Sequence, residues 1–191
     1  AGKKLSEFRN HIPNVDVKVV AIFRNKKSIV PKGDTVILPG DEVFFLGTED
    51  NMRFMSELRK STIEKASNVM IAGGGRVGSA LAKRLESIYS VKLVEKNKHI
   101  AKEVSQQLSS CVVLNNDIAE ENFLKNESIE KVDYFCAVTN DDQMNILSAK
   151  LAKDMGAKKT IAIVNKSSYR NLVFKEIDIV ISPEDVTIGS L

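Results

Sequence analysis

"NVMIAGGGRVGSALAKRLE", residues 68–86, sets a short apolar run, a glycine-rich turn and an amphipathic stretch in direct succession. NVMIA reads as a strand. Val77, Leu81, Leu85 and Ile88 then recur at spacings of four, four and three, the rhythm of a helix with one apolar face. Between the two, Gly73, Gly75 and Gly78 stand in G-x-G-x-x-G spacing, and each has its own physical task. Gly73 allows a tight bend. Gly75 lets the backbone approach a pyrophosphate with no Cβ in the way, and Gly78 permits close contact between helix and strand. The free N–H groups at the helix start would then face an anion. Three glycines in six residues also mark many ordinary loops; the flanking strand and helix give the pattern its weight. Arg76, inside the turn, is placed to pair with a phosphate or a neighbouring acid.

Downstream, Glu95 closes the next apolar run, VKLVE, twenty residues after Gly75. A carboxylate there accepts both ribose hydroxyls of an adenosine and repels a 2′-phosphate. It favours the unphosphorylated ribose of NAD or of ATP/ADP, although Lys96 and Lys98 offset part of the repulsion. Two more polar clusters follow apolar runs, where ligands of open α/β sheets bind. "NND" at 115–117 follows CVVL, which brings Asn116 and Asp117 beside an adenine. "TNDDQMN" at 139–145 follows VDYFCAV, and there Thr139 and Asn140 either touch phosphates or a second ribose, or cap the next helix. Capping alone accounts for Asn140 and Asp141.

The alternation continues to the end of the chain. Ile100, Val104 and Leu108 stripe one helix, and Met144, Leu147, Leu151 and Met155 another that ends near Gly156. KTIAIV and DIVIS are two more strands, with a helix expected over SSYRNLVFKEI between them. Strands apolar on both faces and alternating with helices imply an α/β fold, a Rossmann-like parallel sheet wound with helices. The front of the chain reads differently. VKVVAIF, a basic turn RNKK, a short run ended by Pro31, and two runs split by PGD at 39–41 suggest a small α+β, β-rich subdomain. Met52, Met55 and Leu58 suggest a helix after Thr48, and RKSTIEKAS at 59–67 is polar enough to link two units. The expected division is 1–62 and 66–191.

The bulk numbers fit this picture. A hydrophobic share of 43% and a charged share of 28% belong to a globular chain. The net charge of +3 is too small to argue for nucleic acid, and no apolar run nears the roughly 18 residues that cross a bilayer. The first ten residues lack the apolar core of a signal peptide. The chain opens without an initiator Met, as expected of a piece of a longer protein. Cys111 and Cys136 lie apart in apolar runs and read as buried thiols in a reducing, cytoplasmic compartment. His11 and His99 are isolated, so no metal is expected.

No catalyst accompanies the glycine turn. None of Tyr89, Tyr134 and Tyr169 has Lys four residues on, which removes the short-chain dehydrogenase dyad. Neither histidine has a dehydrogenase-like acidic partner, and little chain follows the sixth strand to hold a substrate. A binding module without catalysis is the expectation; a truncated NAD-dependent oxidoreductase and an assembly domain with a vestigial site are the alternatives.

VMIAGGGRVGSALAKRLE, VKLVEKNK, VVLNNDIAEENFL and AVTNDDQMNILSAKLAKDMGAKKTIAIVNKSSY together resemble the nucleotide-binding half of an RCK (KTN) domain. The front segment, GKKLSEF and VVAIFRNKKSIVPKGDTVILPGDEVFFLGT, is similar to that family's C-terminal subdomain. The family places these parts in the opposite order. The resemblance therefore implies a central slice of a tandem, the tail of one unit joined to the head of the next. It further implies phosphate contacts from Gly73, Gly75, Arg76, Val77 and Gly78, and a ribose contact from Glu95 beside Lys96. Asp117 and Ile118 would flank the adenine, with Asn116 standing where the family commonly has Gly, and Thr139 and Asn140 would line the far end. NAD(H) or ATP/ADP is implied as ligand. A homo-oligomer of such domains and a membrane-embedded potassium-conducting partner, met at the inner face of the cell membrane, are implied as assembly.

Overall fold

A computed structural model describes residues 2, 4–7, 17–24, 27–48, 50–51, 67–166, 168–169 and 176–182. The chain divides into two compact units, Ala1–Ile63 with Asp185–Leu191 and Glu64–Glu184.

The first unit holds an antiparallel sheet in the order β2-β1-β3, with β1 Val17–Arg24, β2 Lys27–Ile29 and β3 Glu42–Gly47. Ala21, Ile22 and Phe23 of β1 are buried, and Phe23 meets Phe44 edge to face with ring centres 5.5 Å apart. The PGD turn is held from both sides. Arg24 donates to both carboxylate oxygens of Asp41 at 2.8 Å, and the Leu38 N–H donates to the same group at 2.8 Å. The Arg24 guanidinium and this amide hold the Asp41 carboxyl down at about 2. The expected run TVIL is not a strand. Among the described residues, Val36 makes an isolated bridge to Lys4, beside a 3-10 turn at Leu5–Glu7. The expected helix through Met52, Met55 and Leu58 lies outside the described residues.

The second unit is a six-stranded parallel sheet in the order β6-β5-β4-β7-β8-β9. Its strands are β4 Asn68–Ala72, β5 Ser90–Val94, β6 Val112–Leu114, β7 Tyr134–Ala137, β8 Lys159–Ile163 and β9 Ile179–Ile181. The chain starts in the middle, winds outward through β5 and β6, then returns to place β7 on the other side of β4. That reversal between β4 and β7 opens a crevice at the carboxyl ends of the strands. Alternate residues feed two cores. Met70, Ala72, Phe135 and Ala137 face one layer, while Val69, Ile71, Cys136 and Val138 face the other. A fully buried aliphatic or aromatic side chain such as Ile71 or Phe135 stabilises by roughly 1.5–3 kcal/mol.

Helices that cover the sheet among the described residues include α1 Arg76–Leu85, α2 Lys98–Gln107, α3 Glu121–Asn126 and α4 Asp142–Asp154. The short α3 and a 3-10 turn at Ile129–Lys131 were not expected from the sequence, yet Phe123, Leu124 and Ile129 all reach the core. The expected helix over SSYRNLVFKEI lies largely outside the described residues. Two expected stripes are partly wrong. In α1, Leu81 and Leu85 pack inward, but Val77 is 53% exposed and Ile88, beyond the helix, is 70% exposed. In α4, Leu147 is 55% exposed, while Asn145, Ser148, Ala149 and Ala152 are buried. Small residues on the inner face let a helix backbone come close to a sheet, and apolar spacing alone points past them.

Three carboxylates tie the amino-terminal edge of this sheet together. Asp133 accepts from the Ser67 and Asn68 N–H groups at 2.7 and 2.9 Å and pairs with Lys158 at 2.7 Å. Asp178 accepts from the Thr160 N–H at 2.8 Å and pairs with Lys153 at 2.8 Å. Glu86, just past α1, accepts from the N–H groups of Ser109, Ser110 and Cys111. Burial pushes the Cys111 and Cys136 thiols up to about 11 and about 12, so both stay protonated. Cys111 is only half-buried, against the expectation.

Candidate functional site

A cleft of about 400 Å³ lies at the carboxyl ends of the strands, over the β4–β7 reversal, within the size range of small-molecule sites. Its floor is the glycine turn. Gly73 sits at φ +108°, a left-handed conformation that glycine tolerates, and its N–H donates to the Val94 carbonyl at 2.9 Å. Gly78 is packed so tightly under the turn that a Cβ there would fall inside the Gly73 carbonyl oxygen. Gly75 is different: a Cβ on it would meet nothing within 4 Å. The protein's own packing gives no reason for glycine at that position, whereas a ligand lying against the turn would.

The start of α1 is the chemically open part. Gly75 is its N-cap and supplies no side-chain bond. The N–H groups of Arg76, Val77 and Gly78 have no hydrogen-bond partner among the described residues. The neighbouring helices are closed in the ordinary way. Asn97 caps α2 through His99 and Ile100, and Asp141 caps α4 through Gln143 and Met144. An uncapped helix start whose N-cap, Gly75, lines the cleft suits an anion.

Glu95 stands opposite, with each carboxylate oxygen already oriented. Oε2 accepts from the Gly74 N–H at 2.7 Å and Oε1 from the Asn97 N–H at 2.7 Å. Each oxygen keeps a lone pair for a further donor. At the next strand end, Lys96 pairs with Asp117 at 2.6 Å, and this, with the Ala119 N–H, holds the Asp117 carboxyl below its ordinary range. The Asn116 carboxamide is turned onto its own chain, accepting from the Asp117 N–H at 2.7 Å. Ile118 is buried beside them.

The far wall is the turn after β7. Thr139 and Asn140 line the cleft. Between the two uses expected for this turn, capping falls to Asp141, and the exposed Asn140 makes no side-chain hydrogen bond among the described residues. Asp142, at the start of α4, accepts from Asn165 and Lys166 beyond β8 at 2.8–3.0 Å. Burial pushes its carboxyl up, but these donors outweigh the burial and hold it below the ordinary value.

Of the residues expected in the site, Gly73, Gly75, Glu95, Lys96, Asn116, Asp117, Ile118, Thr139 and Asn140 line one cleft. Arg76, Val77 and Gly78 do not line it. The first two are exposed and Gly78 is buried against the Gly73 carbonyl. Sequence reasoning missed the apolar lining, Val94, Ile100, Val138 and Met144, because these positions read simply as core. It also passed over Asn145, whose signal was a polar residue on the inner face of α4.

Comparison with known proteins gives two family matches: the TrkA-N domain over residues 69–183 and the TrkA-C domain over residues 1–59. The whole chain is 46% identical to the Trk system potassium uptake protein TrkA of Halomonas elongata and 45% identical to that of Vibrio alginolyticus. It spans 42% of the length of each of these curated relatives. Among solved structures, the GsuK channel bound to NAD superposes with a TM-score of 0.60 at 20% identity, over 100% of this chain and 33% of that one. At that identity the likeness is one of fold.

Proposed function

Since the chain belongs to the TrkA-N domain family, we propose that its second unit is a nucleotide-sensing regulatory module that binds NAD(H) or ATP/ADP without turning it over. The observation that carries this reading is the uncapped start of α1, with three N–H groups unpartnered among the described residues beside a glycine whose absent Cβ faces open space. The glycine turn would take the phosphates, with Arg76 and Val77 contributing at the rim. Glu95 would accept the ribose hydroxyls, and Asp117 and Ile118, flanked by Lys96 and Asn116, would border the adenine. Thr139 and Asn140 would meet the ligand's far half.

On this reading residues 1–62 are the C-terminal-type subdomain of one unit and 66–191 the nucleotide-binding half of the next. The relatives' name, Trk system potassium uptake protein, supports assigning the module to control of potassium uptake. The conducting element would be a membrane channel or transporter subunit, reached from the cytoplasmic face by a homo-oligomer of such modules. Nucleotide binding biases that partner only through different affinities for two arrangements of the module.

Calorimetry of the chain with NADH, NAD, ATP and ADP, repeated with Glu95→Ala, tests the binding step. The expected outcome is saturable binding to the native chain that Glu95→Ala weakens, with the nucleotide recovered unchanged. Absence of any binding tighter than about 1 mM, near −4 kcal/mol, overturns the reading.

A further inference from the structure

Asn145 lies beneath the far wall of the cleft with its side chain wholly buried. Its Oδ1 accepts from the Thr139 N–H at 2.8 Å and the Thr139 hydroxyl at 2.6 Å. Its Nδ2 donates to the Thr139 carbonyl at 3.0 Å and to the Ile163 carbonyl, at the end of β8, at 2.9 Å. Both amide hydrogens and both lone pairs of the carbonyl oxygen are therefore engaged. Holding α4 on the sheet does not require such a group. Ser148, Ala149 and Ala152 already pack there, and a buried apolar residue would carry no polar requirement at all. Three of the four bonds go to Thr139, so the carboxamide's effect is to fix the turn after β7.

That turn borders only part of the cleft. The adenosine end of a nucleotide would meet Asp117, Glu95 and the α1 amides, none of which hydrogen-bonds Asn145. Thr139 and Asn140 lie on the other side of the glycine turn, where a ligand reaches only if it continues beyond its first phosphate. Asp142 adds a second anchor, binding the same end of α4 to Asn165 and Lys166.

We propose that Asn145 is a positioning residue that sets the preference of this site for a dinucleotide over a nucleoside monophosphate, by holding Thr139 and Asn140 against the ligand's far half. The proposal rests on the nucleotide reading above. The same carboxamide joins the Thr139 carbonyl to the Ile163 carbonyl at the end of β8.

The test is calorimetry of the 191-residue chain with NADH and with AMP, for the native protein, Asn145→Ala and Asn145→Asp. The Asp variant keeps the acceptor for the Thr139 N–H and hydroxyl while losing both donors. The expected result is a fall in NADH affinity of about ten-fold, the size of one or two neutral hydrogen bonds, with AMP affinity held within about two-fold. Equal losses for the two ligands, or an unchanged ratio, overturn the proposal and leave the nucleotide reading standing. A native chain that binds neither ligand overturns both. If neither variant folds, hydrogen exchange on the native chain decides. NADH is expected to slow exchange of the Thr139 amide well beyond AMP, and equal protection by the two overturns the proposal.

Discussion

Gly73 and Thr139 touch across the point where the sheet reverses: a Cβ on Gly73 would lie 3.0 Å from the Thr139 methyl and 3.0 Å from its backbone nitrogen. Gly73 also sits at φ +108°. The floor and far wall of the cleft therefore constrain one another, and Gly73→Ala meets both conformational strain and a backbone contact. The expected cost is about 1–3 kcal/mol, read as a lower melting temperature of the unliganded chain. An unchanged melt would contradict the close packing.

Gly75→Ala separates folding from binding. Gly75 has φ −66° and its absent Cβ faces open space. The loss of a better N-cap residue, a few tenths to 1 kcal/mol, is offset by a similar gain from the less flexible unfolded chain. The unliganded melt is expected to stay within about 0.5 kcal/mol of the parent, while calorimetry shows weaker nucleotide binding because the methyl occupies the phosphate's place. Equal affinities would remove the phosphate from that position.

Glu95→Gln tests ribose recognition. The carboxylate already accepts from Gly74 and Asn97 and has lone pairs left for two hydroxyls. Loss of charge-assisted hydrogen bonds of about 1.5–3 kcal/mol weakens NADH about 10- to 100-fold. The variant also loses its repulsion of a 2′-phosphate, so the ratio of NADPH to NADH affinity is expected to rise. A ratio that stays fixed would place the ribose elsewhere.

Acid stability follows from two carboxylates at the amino edge. The Ser110 N–H, with Lys83 and the Ser109 and Cys111 amides, holds Glu86 at about 2 against an ordinary 4.5. Lys158, with the Asn68 and Ser67 amides, holds Asp133 at about 2 against 3.8. Both folded values are depressed, so their stabilisation is complete above the unfolded values and fades as pH falls from about 4.5 toward 2. Melting temperature is expected to be level above about pH 5 and to drop below it. Glu86→Gln is expected to melt lower at neutral pH and to lose less on acidification. A parallel acid limb in the variant would show that Glu86 does not titrate as described.

The glycine motif, Glu95 and the polar strand ends were legible because each is a local signature, a residue type at a fixed distance from a strand end. The parallel sheet was legible for a related reason: strands buried on both faces are continuous apolar runs. What escaped was set by packing between elements. Val77 and Leu147 fit helical stripes, yet the sheet is met by Gly78, Ala82, Ala149 and Ala152, whose smallness carries no hydropathic signal. The run TVIL has strand composition, but among the described residues its β pairing is the single bridge from Val36 to Lys4. In the sequence Asn145 is one more polar residue near a helix start. Its role exists only because Thr139 and Ile163, six and eighteen residues away, converge on it.

The carboxylates that clamp the second unit, Glu86, Asp133 and Asp178, all work at the amino edge of the sheet, while the cleft opens at the carboxyl edge. These three clamps and the cleft thus lie on opposite margins of one layer. Substitution of a cleft residue that takes no part in the packing, as at Gly75, leaves those clamps intact, so the lining can change there with little loss of stability.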